Sequence, residues 1–189
     1  MAVVTTPGPT FPDVTLSAGD LVLRPVRETD AAPVAEYCVD PVTQAWLPLP
    51  DPYTLDHARW FCATFAPAQR AAGLGIVRGV ELAGRLAGMI DLKRTDWRAR
   101  TTEVGYWAAP WARGRGVTTR AVSLLARWVL LEQGFERVEL RAATGNRASQ
   151  RVAEKAGFQR EGVARNAGFV HAGRVDLVIY SLVSGDLRA

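Results

Sequence analysis

Cysteine, histidine and lysine are scarce in this chain of 189 amino acids. The two cysteines, Cys38 and Cys62, show neither a CxxC spacing nor a nearby pair of histidines, which argues against a disulfide framework or a structural zinc site. The two histidines, His57 and His171, lack the spacing of metal ligands and are expected on the surface or in a pocket wall. We therefore predict two buried, reduced thiols and no bound metal.

Long apolar runs are also missing. The longest candidate, residues 128–131, is far shorter than the roughly 20 residues that a membrane span requires. The first residues lack the basic and apolar regions of a secretory signal, so export is not expected. With 48% hydrophobic and 22% charged residues, the composition is typical of a soluble globular protein. We predict a cytoplasmic protein without membrane association.

The basic residues are almost all arginine, because Lys93 and Lys155 are the only lysines among 23 basic residues. Arginine is suited to phosphate recognition because its planar, permanently charged group binds in a bidentate way. The net charge of +4 is compatible with a phosphorylated ligand or an acidic partner. The arginines are dispersed and no nucleic-acid-binding motif is present, which argues against direct nucleic-acid binding.

The hydrophobic pattern predicts one α/β domain over residues 13–189, preceded by a flexible, proline-rich arm at residues 1–12. The predicted element order is βααβββαβαββ around a mixed sheet. Three successive strands at 74–80, 86–92 and 102–108 form a meander, and the proline-rich segment 41–53 reads as an apolar loop. The remaining elements are strands at 21–24, 136–142, 158–164 and 174–183, and helices at 30–38, 54–73, 117–134 and 146–156.

A glycine-rich turn, Arg113-Gly114-Arg115-Gly116, lies between the third meander strand and a long helix. Glycines let the backbone approach a ligand closely, and the unpaired amides at a helix start favour an anion. The turn is not a Walker A loop, and the third glycine of a dinucleotide-binding fingerprint is replaced by Thr119. Taken alone, it predicts either a phosphate site or a solvated turn.

Three ordered segments resemble the GCN5-related N-acetyltransferases (GNAT), and more closely their RimJ/RimL-like branch. Arg113, Gly116 and Thr118 occupy the defining places of the family's acyl-CoA loop, Gln/Arg-x-x-Gly-x-Gly/Ala, although Thr118 departs from the usual small residue. Residues 103–107 resemble the family's fourth strand, and residues 146–158 resemble its Asn-x-x-Ser to Gly-Phe segment. The resemblance covers about residues 20–185.

This resemblance implies a mixed sheet whose central strands, here 102–108 and 136–142, splay apart. The pantetheine arm of acetyl-CoA, or of another acyl-CoA, would then act as a pseudo-strand in the gap. No metal is implied. The residues expected to contact the acyl-CoA are Trp107, Ala108, Arg113, Gly114, Arg115, Gly116, Val117, Thr118, Thr119, Asn146 and Ser149.

The implied reaction is direct attack of a primary amine on the thioester in a ternary complex, since no pair of nucleophile and base is visible in the sequence. Glu103 is the candidate base, acting through water, or else a salt-bridged strand residue. The family's usual tyrosine acid is replaced by Ala153. Ser149 is the nearest hydroxyl to the leaving thiolate, unless it serves only the first helical turn, with Asn146 as N-cap.

The acceptor would be a protein N-terminus or a small-molecule amine, and segments 44–53 and 165–173 are expected to select it. Trp46, Trp60 and Phe61 line a pocket or belong to the core, and Asp176 holds a cationic substrate or caps a turn. Arg165 or Arg174 would suit a succinyl donor. A catalytically degenerate CoA-binding regulatory protein is a further alternative, and either a monomer or a homodimer is compatible with the sequence.

Overall fold

The computed structural model describes residues 9–188, which form an eight-stranded mixed sheet in the order β1-β2-β3-β4-β5-β6-β8-β7. Every neighbouring pair is antiparallel except β5 and β6, which run parallel. The predicted α/β class with a mixed sheet is confirmed. The strands are β1 (Leu16–Ala18), β2 (Leu21–Pro25), β3 (Ile76–Leu82), β4 (Arg85–Asp96), β5 (Thr101–Ala108), β6 (Arg137–Ala143), β7 (Gln159–Val170) and β8 (Gly173–Val183).

Helices cover both faces of the sheet. In chain order they are α1 (Ala31–Cys38), α2 (Pro41–Trp46), α3 (Leu55–Trp60), a π-helical turn (Phe61–Phe65), α4 (Ala66–Ala71), α5 (Val117–Leu131) and α6 (Arg147–Lys155). The long helix α5 buries one apolar face, as its 3,4 spacing predicts. No helix within residues 9–188 is both long enough and apolar enough to cross a membrane.

The segment at 41–53 differs from the predicted loop, because its first half is helix α2. Asp40 is the N-cap of this helix and accepts hydrogen bonds from the amides of Val42 and Thr43. Pro41 follows in the first turn, where its missing amide proton costs nothing. An acidic N-cap followed by proline is a signal for the start of a helix. This signal applies to residues 41–46, and the later prolines indicate a loop only for the residues that follow.

The two central strands separate, as the resemblance predicts. β5 pairs with β6 only between Thr101–Glu103 and residues 137–139. Beyond this point β5 stays paired with β4 as far as Ala108, while β6 stays paired with β8 as far as Ala143. A cleft therefore opens between β5 and β6, and its wide end faces the start of α5.

Both cysteines are free, buried thiols, as the sequence predicts: Cys38 ends helix α1, and Cys62 lies in the π-helical turn. Burial raises the pKa of Cys38 and of Cys62 to about 12 in each case, so both thiols are protonated at neutral pH. A thiol in this state is a poor nucleophile and behaves as a small apolar side chain.

The prediction of a flexible arm at residues 1–12 is wrong at Phe11, and residues 1–8 lie outside the described part of the chain. Phe11 is 0% exposed and its ring lies 4.7 Å from Trp97, 5.8 Å from Trp128 and 5.3 Å from Phe135. The prolines on either side of Phe11 favour the interpretation of this segment as a loose arm, although Phe11 itself belongs to the hydrophobic core. This residue ties the N-terminal segment to α5 and to the turn after β4.

Candidate active site

The glycine turn lies where β5 ends and α5 begins. Gly114 and Gly116 have φ values of +73° and +74°, a conformation that favours glycine, and Gly116 is the N-cap of α5. The first helical hydrogen bond runs from the Arg120 amide to the Gly116 carbonyl at 3.1 Å. The amides of residues 117–119 therefore precede the helical ladder. A Cβ atom on either glycine would meet nothing within 4 Å, so the turn has open space in front of it.

The two arginines of the turn have different surroundings. Arg113 forms an ion pair with Asp40 and donates a 2.8 Å hydrogen bond to Thr43 Oγ1, which ties the turn to the start of α2. The Arg113 guanidinium thereby lowers the pKa of the Asp40 carboxyl. Arg115 is exposed, with its guanidinium 5.9 Å from the Trp111 ring. Arg115 is thus the more accessible cation beside the glycines.

The expected backbone donors, Trp107 and Ala108, lie in the part of β5 that has separated from β6. They pair on the other side with Met89 and Gly88 of β4. A Cβ atom on Gly88 would collide with the Trp107 carbonyl oxygen, so glycine at this position allows β4 to approach the strand closely. The Trp107 ring packs edge-on against Tyr37, with 6.4 Å between the ring centroids, which fixes one wall of the cleft.

The opposite wall is built by α6. The Asn146 side chain is its N-cap and accepts a 3.0 Å hydrogen bond from the Ser149 amide. The Ser149 hydroxyl lies 2.9 Å from the hydroxyl of Tyr106 on β5. Ser149 therefore serves the helix start through its amide, while its hydroxyl points across to β5. Ala153 is fully buried one turn further along α6.

Tyr106 is a cleft residue that was not predicted from the sequence. Its hydroxyl also lies 3.3 Å from the Ser149 carbonyl, and burial raises its pKa to about 12. The signal was the alternation of β5, which places Tyr106 on the face opposite Trp107 and toward α6. Its partner Ser149 is far away in sequence, so the pairing becomes visible only in the folded chain.

Glu103 lies at the closed end of the cleft and is 7% exposed. It contacts three cations: Arg94 Nη1 at 2.9 Å, Lys93 Nζ at 3.6 Å and Arg141 Nε at 3.3 Å. Two of these cations come from β4 and one from β6. The geometry favours the salt-bridged alternative for Glu103, and its role as a base stays a prediction.

The other candidate residues are exposed or only partly buried. Asp176 Oδ1 accepts a 2.7 Å hydrogen bond from the Asn166 amide, which matches the turn-capping alternative. Trp46 lies against Gly145, next to the start of α6, whereas Trp60 is 57% exposed and Phe61 stacks on Phe65. Arg165, Arg174 and His171 are exposed, and the His57 ring accepts a hydrogen bond from the Thr54 amide.

Comparison with known proteins places these features in a family. Residues 20–159 match the family model described as the acetyltransferase (GNAT) domain. YdaF of Bacillus subtilis, provisionally named a ribosomal N-acetyltransferase, is 40% identical over 109 residues. That match covers 58% of this chain and 60% of YdaF, so the chain is aligned with less than two thirds of this relative.

Two further relatives cover most of the chain. YoaA of Bacillus subtilis, named an uncharacterized N-acetyltransferase, is 28% identical over 171 residues, which is 89% of this chain and 96% of YoaA. The structure of RimJ of Mycobacterium smegmatis, solved in complex with CoA-disulfide, superposes with a TM-score of 0.83 at 22% sequence identity. The match covers 93% of this chain and 88% of the RimJ chain. With its family model, separated central strands and glycine turn, this chain belongs to the GNAT acetyltransferases.

Proposed function

We propose that this protein transfers an acetyl group from acetyl-CoA to a primary amine by direct attack in a ternary complex. One observation carries the proposal: β5 and β6 separate after three paired residues, and the gap leads to the open N-terminus of α5. A long, thin molecule with an amide-rich arm and a pyrophosphate fits such a gap. The arm satisfies the strand edges and the phosphates bind the helix start.

The glycine turn has the room and the polarity that a pyrophosphate needs. The space in front of Gly114 and Gly116 is open, and the amides of residues 117–119 are available at the positive end of the α5 dipole. Arg115 adds an exposed cation beside them. Arg113 acts here as the tether that holds the turn in place through Asp40.

The cleft supplies donors for the charge that develops during transfer. An amide near Trp107 or Ala108 would polarise the thioester carbonyl, an effect worth about 3 kcal/mol per donor. The departing thiolate would accept a hydrogen bond from Ser149, whose hydroxyl is held by Tyr106. With a pKa raised to about 12, Tyr106 holds its proton more tightly than a thiol with a pKa near 8.5. The hydroxyl pair therefore stabilises the thiolate by hydrogen bonding rather than by giving up a proton.

The acceptor must be neutral in order to attack. An α-amino group with a pKa of about 7.8 costs about 1 kcal/mol to deprotonate at pH 7, whereas a lysine near 10.4 costs about 4.6 kcal/mol. Free energy thus favours a protein N-terminus or a small amine of similar basicity. The name of YdaF, a provisional ribosomal N-acetyltransferase, supports a protein N-terminus as the first acceptor to test.

The test is calorimetric titration with acetyl-CoA and succinyl-CoA in parallel, followed by the better donor with a panel of short peptides carrying free N-termini. We expect micromolar binding of acetyl-CoA and acetylated peptide in the mass spectrum. Tighter binding of succinyl-CoA would change the donor. Binding of acetyl-CoA without turnover of any amine would indicate a CoA-binding regulatory protein, and binding of neither donor by the folded protein would contradict the proposal.

A further inference from the structure

A second carboxylate lies close to the opening of the cleft. Asp91 of β4 is paired with Gly105 of β5, two residues beyond the last β5–β6 pair at Glu103. A Cβ atom on residue 105 would collide with Asp91 Oδ1 and would lie 2.6 Å from Lys93 Nζ. The missing side chain at Gly105 therefore lets the Asp91 carboxylate lie directly over β5 where this strand leaves β6.

A cavity of about 350 Å³ opens beside this carboxylate, between the sheet and α4. Phe65, Leu74 and Val77 give it apolar walls, and Asp91, Lys93 and Arg94 contribute its charged groups. A volume of this size admits a few side-chain-sized groups, such as the first residues of a peptide. The cavity thus places an acceptor-sized space against β3, β4 and α4, and Asp91 is its lining residue that pairs with the separated part of β5.

The two acidic residues of this region differ in their partners. Glu103 is already neutralised by Arg94, Lys93 and Arg141, at 2.9–3.6 Å. Within residues 9–188, no ion pair is formed by Asp91, although Lys93 lies on the same face. Asp91 borders the cavity and shares Lys93 with Glu103 without forming an ion pair, so it is the less engaged of the two carboxylates and the better placed to meet an incoming amine.

The surroundings of Asp91 also adjust its proton affinity. Burial raises the pKa of the Asp91 carboxyl, and the negative charge of Glu103 raises it further. The Lys93 ammonium and the amides of Asp91 and Gly105 oppose this shift. The groups that α4 and the preceding turn present, Gln69 and Phe65, are uncharged. A raised pKa suits a general base, because its proton affinity then lies nearer to the operating pH.

We propose that Asp91 is the proton acceptor of the transfer reaction and that the acceptor amine enters from the cavity beside α4. The inference rests on the proposed function. The amine nitrogen forms a bond to the thioester carbon, the carbon–sulfur bond breaks, and its electron pair leaves on sulfur as the thiolate. One proton of the nitrogen goes to the Asp91 carboxylate and then to solvent through the cavity.

The experiment compares Asp91→Asn with the wild-type protein, using acetyl-CoA and the best free N-terminal peptide of the panel. We expect kcat to fall by roughly 10²–10⁴-fold, and we expect the part of the acid limb of the pH profile that does not come from the acceptor amine itself to disappear. The Kd for acetyl-CoA should stay within about twofold, because Asp91 lies beyond the phosphate turn. Asp56→Asn is the matched control, since Asp56 is an exposed carboxylate on α3 and should leave the rate unchanged.

Several outcomes would overturn the inference. One is an Asp91→Asn protein that keeps the wild-type rate and acid limb, and another is loss of the acid limb in Glu103→Gln alone. If Asp91→Asn does not fold, carbon NMR of the wild-type carboxyl groups decides. The Asp91 carboxyl should titrate above the ordinary range of aspartate, and titration within that range contradicts the proposal. Failure of the wild-type protein to acetylate any amine would instead refute the proposed function.

Discussion

Gly116 combines two requirements of the glycine turn. Its φ of +74° starts helix α5, and its missing side chain leaves space where an anion would approach the helix amides. We predict that Gly116→Asp weakens acetyl-CoA binding by at least about 100-fold, equivalent to about 2.7 kcal/mol, because it adds bulk and negative charge at this point. Calorimetric titration measures the change.

Gly84 offers a matched control for this substitution. It has a φ of +81°, and a Cβ atom there would also meet nothing within 4 Å, but it lies in the turn between β3 and β4. Gly84→Asp should therefore share the backbone strain and retain acetyl-CoA binding. Equal affinities of folded Gly116→Asp and Gly84→Asp would show that the glycine turn does not bind the phosphates.

The Ser149–Tyr106 pair allows a second prediction at this scale. Hydrogen bonds to charged groups contribute about 1.5–3 kcal/mol, so removing either hydroxyl should lower kcat by roughly 10- to 100-fold. Ser149→Ala and Tyr106→Phe should keep their affinity for acetyl-CoA, because the charge on sulfur develops only during transfer. Steady-state kinetics at saturating donor tests this, and an unchanged kcat in both variants would limit the pair to a structural role.

The residues that could be predicted from the sequence are those within local motifs. Gly116, Asn146 and Ser149 stand at fixed spacings from a strand end or a helix start, and such spacings are readable along the chain. Asp91 and Tyr106 were missed because their significance comes from cross-strand and strand-to-helix pairing. Register between distant segments is set by the packing of the whole sheet, which one sequence does not display.

At the scale of elements, Phe11 shows how a short segment can belong to the core without a periodic pattern. We predict that Phe11→Ala lowers the free energy of unfolding by about 3–5 kcal/mol, because it removes a fully buried ring packed on three other aromatic residues. Urea denaturation measures the change. Phe169→Ala is the control, because Phe169 is 59% exposed and should cost less than about 1 kcal/mol. Similar losses in the two variants would contradict the burial of Phe11.

The ends of α5, β3 and β5 were predicted to within three residues, whereas β4 was predicted to end at residue 92 and extends to Asp96, and β7 was predicted to end at residue 164 and extends to Val170. The three-residue strand β1 and the six-residue helix α2 were not predicted, because elements so short carry less than two full periods of pattern. The π-helical turn at Phe61–Phe65 was not predicted either, because the sequence analysis treats residues 54–73 as one continuous helix. Capping chemistry at Asp40 was the one local signal that could have identified α2.

At the scale of the whole molecule, the raised pKa of Asp91 should affect stability. The folded state binds this proton more tightly than the unfolded state, so stability falls as pH rises through and above the ordinary carboxyl range. We predict that Asp91→Asn has a higher Tm than the wild-type protein at pH 7, and that this advantage shrinks toward pH 4. Thermal unfolding across this pH range tests the sign.

Asp56→Asn again serves as the control, since its exposed carboxylate should change Tm little at any pH. A lower Tm for Asp91→Asn at pH 7 would show that the carboxylate is stabilising and would contradict the assigned shift. A higher Tm of Asp91→Asn combined with loss of its acid limb would instead show that the Asp91 carboxylate lowers stability and is retained for activity.

The early separation of β5 and β6 has a consequence for the protein without its donor. Each strand then presents backbone amides and carbonyls that its sheet leaves unpaired, in the middle of an otherwise continuous eight-stranded sheet. Exposed strand edges of this kind can pair with a strand from another chain and promote aggregation. An acyl-CoA molecule lying in the gap would cover both strand edges. Binding of the donor would therefore also protect the protein against self-association.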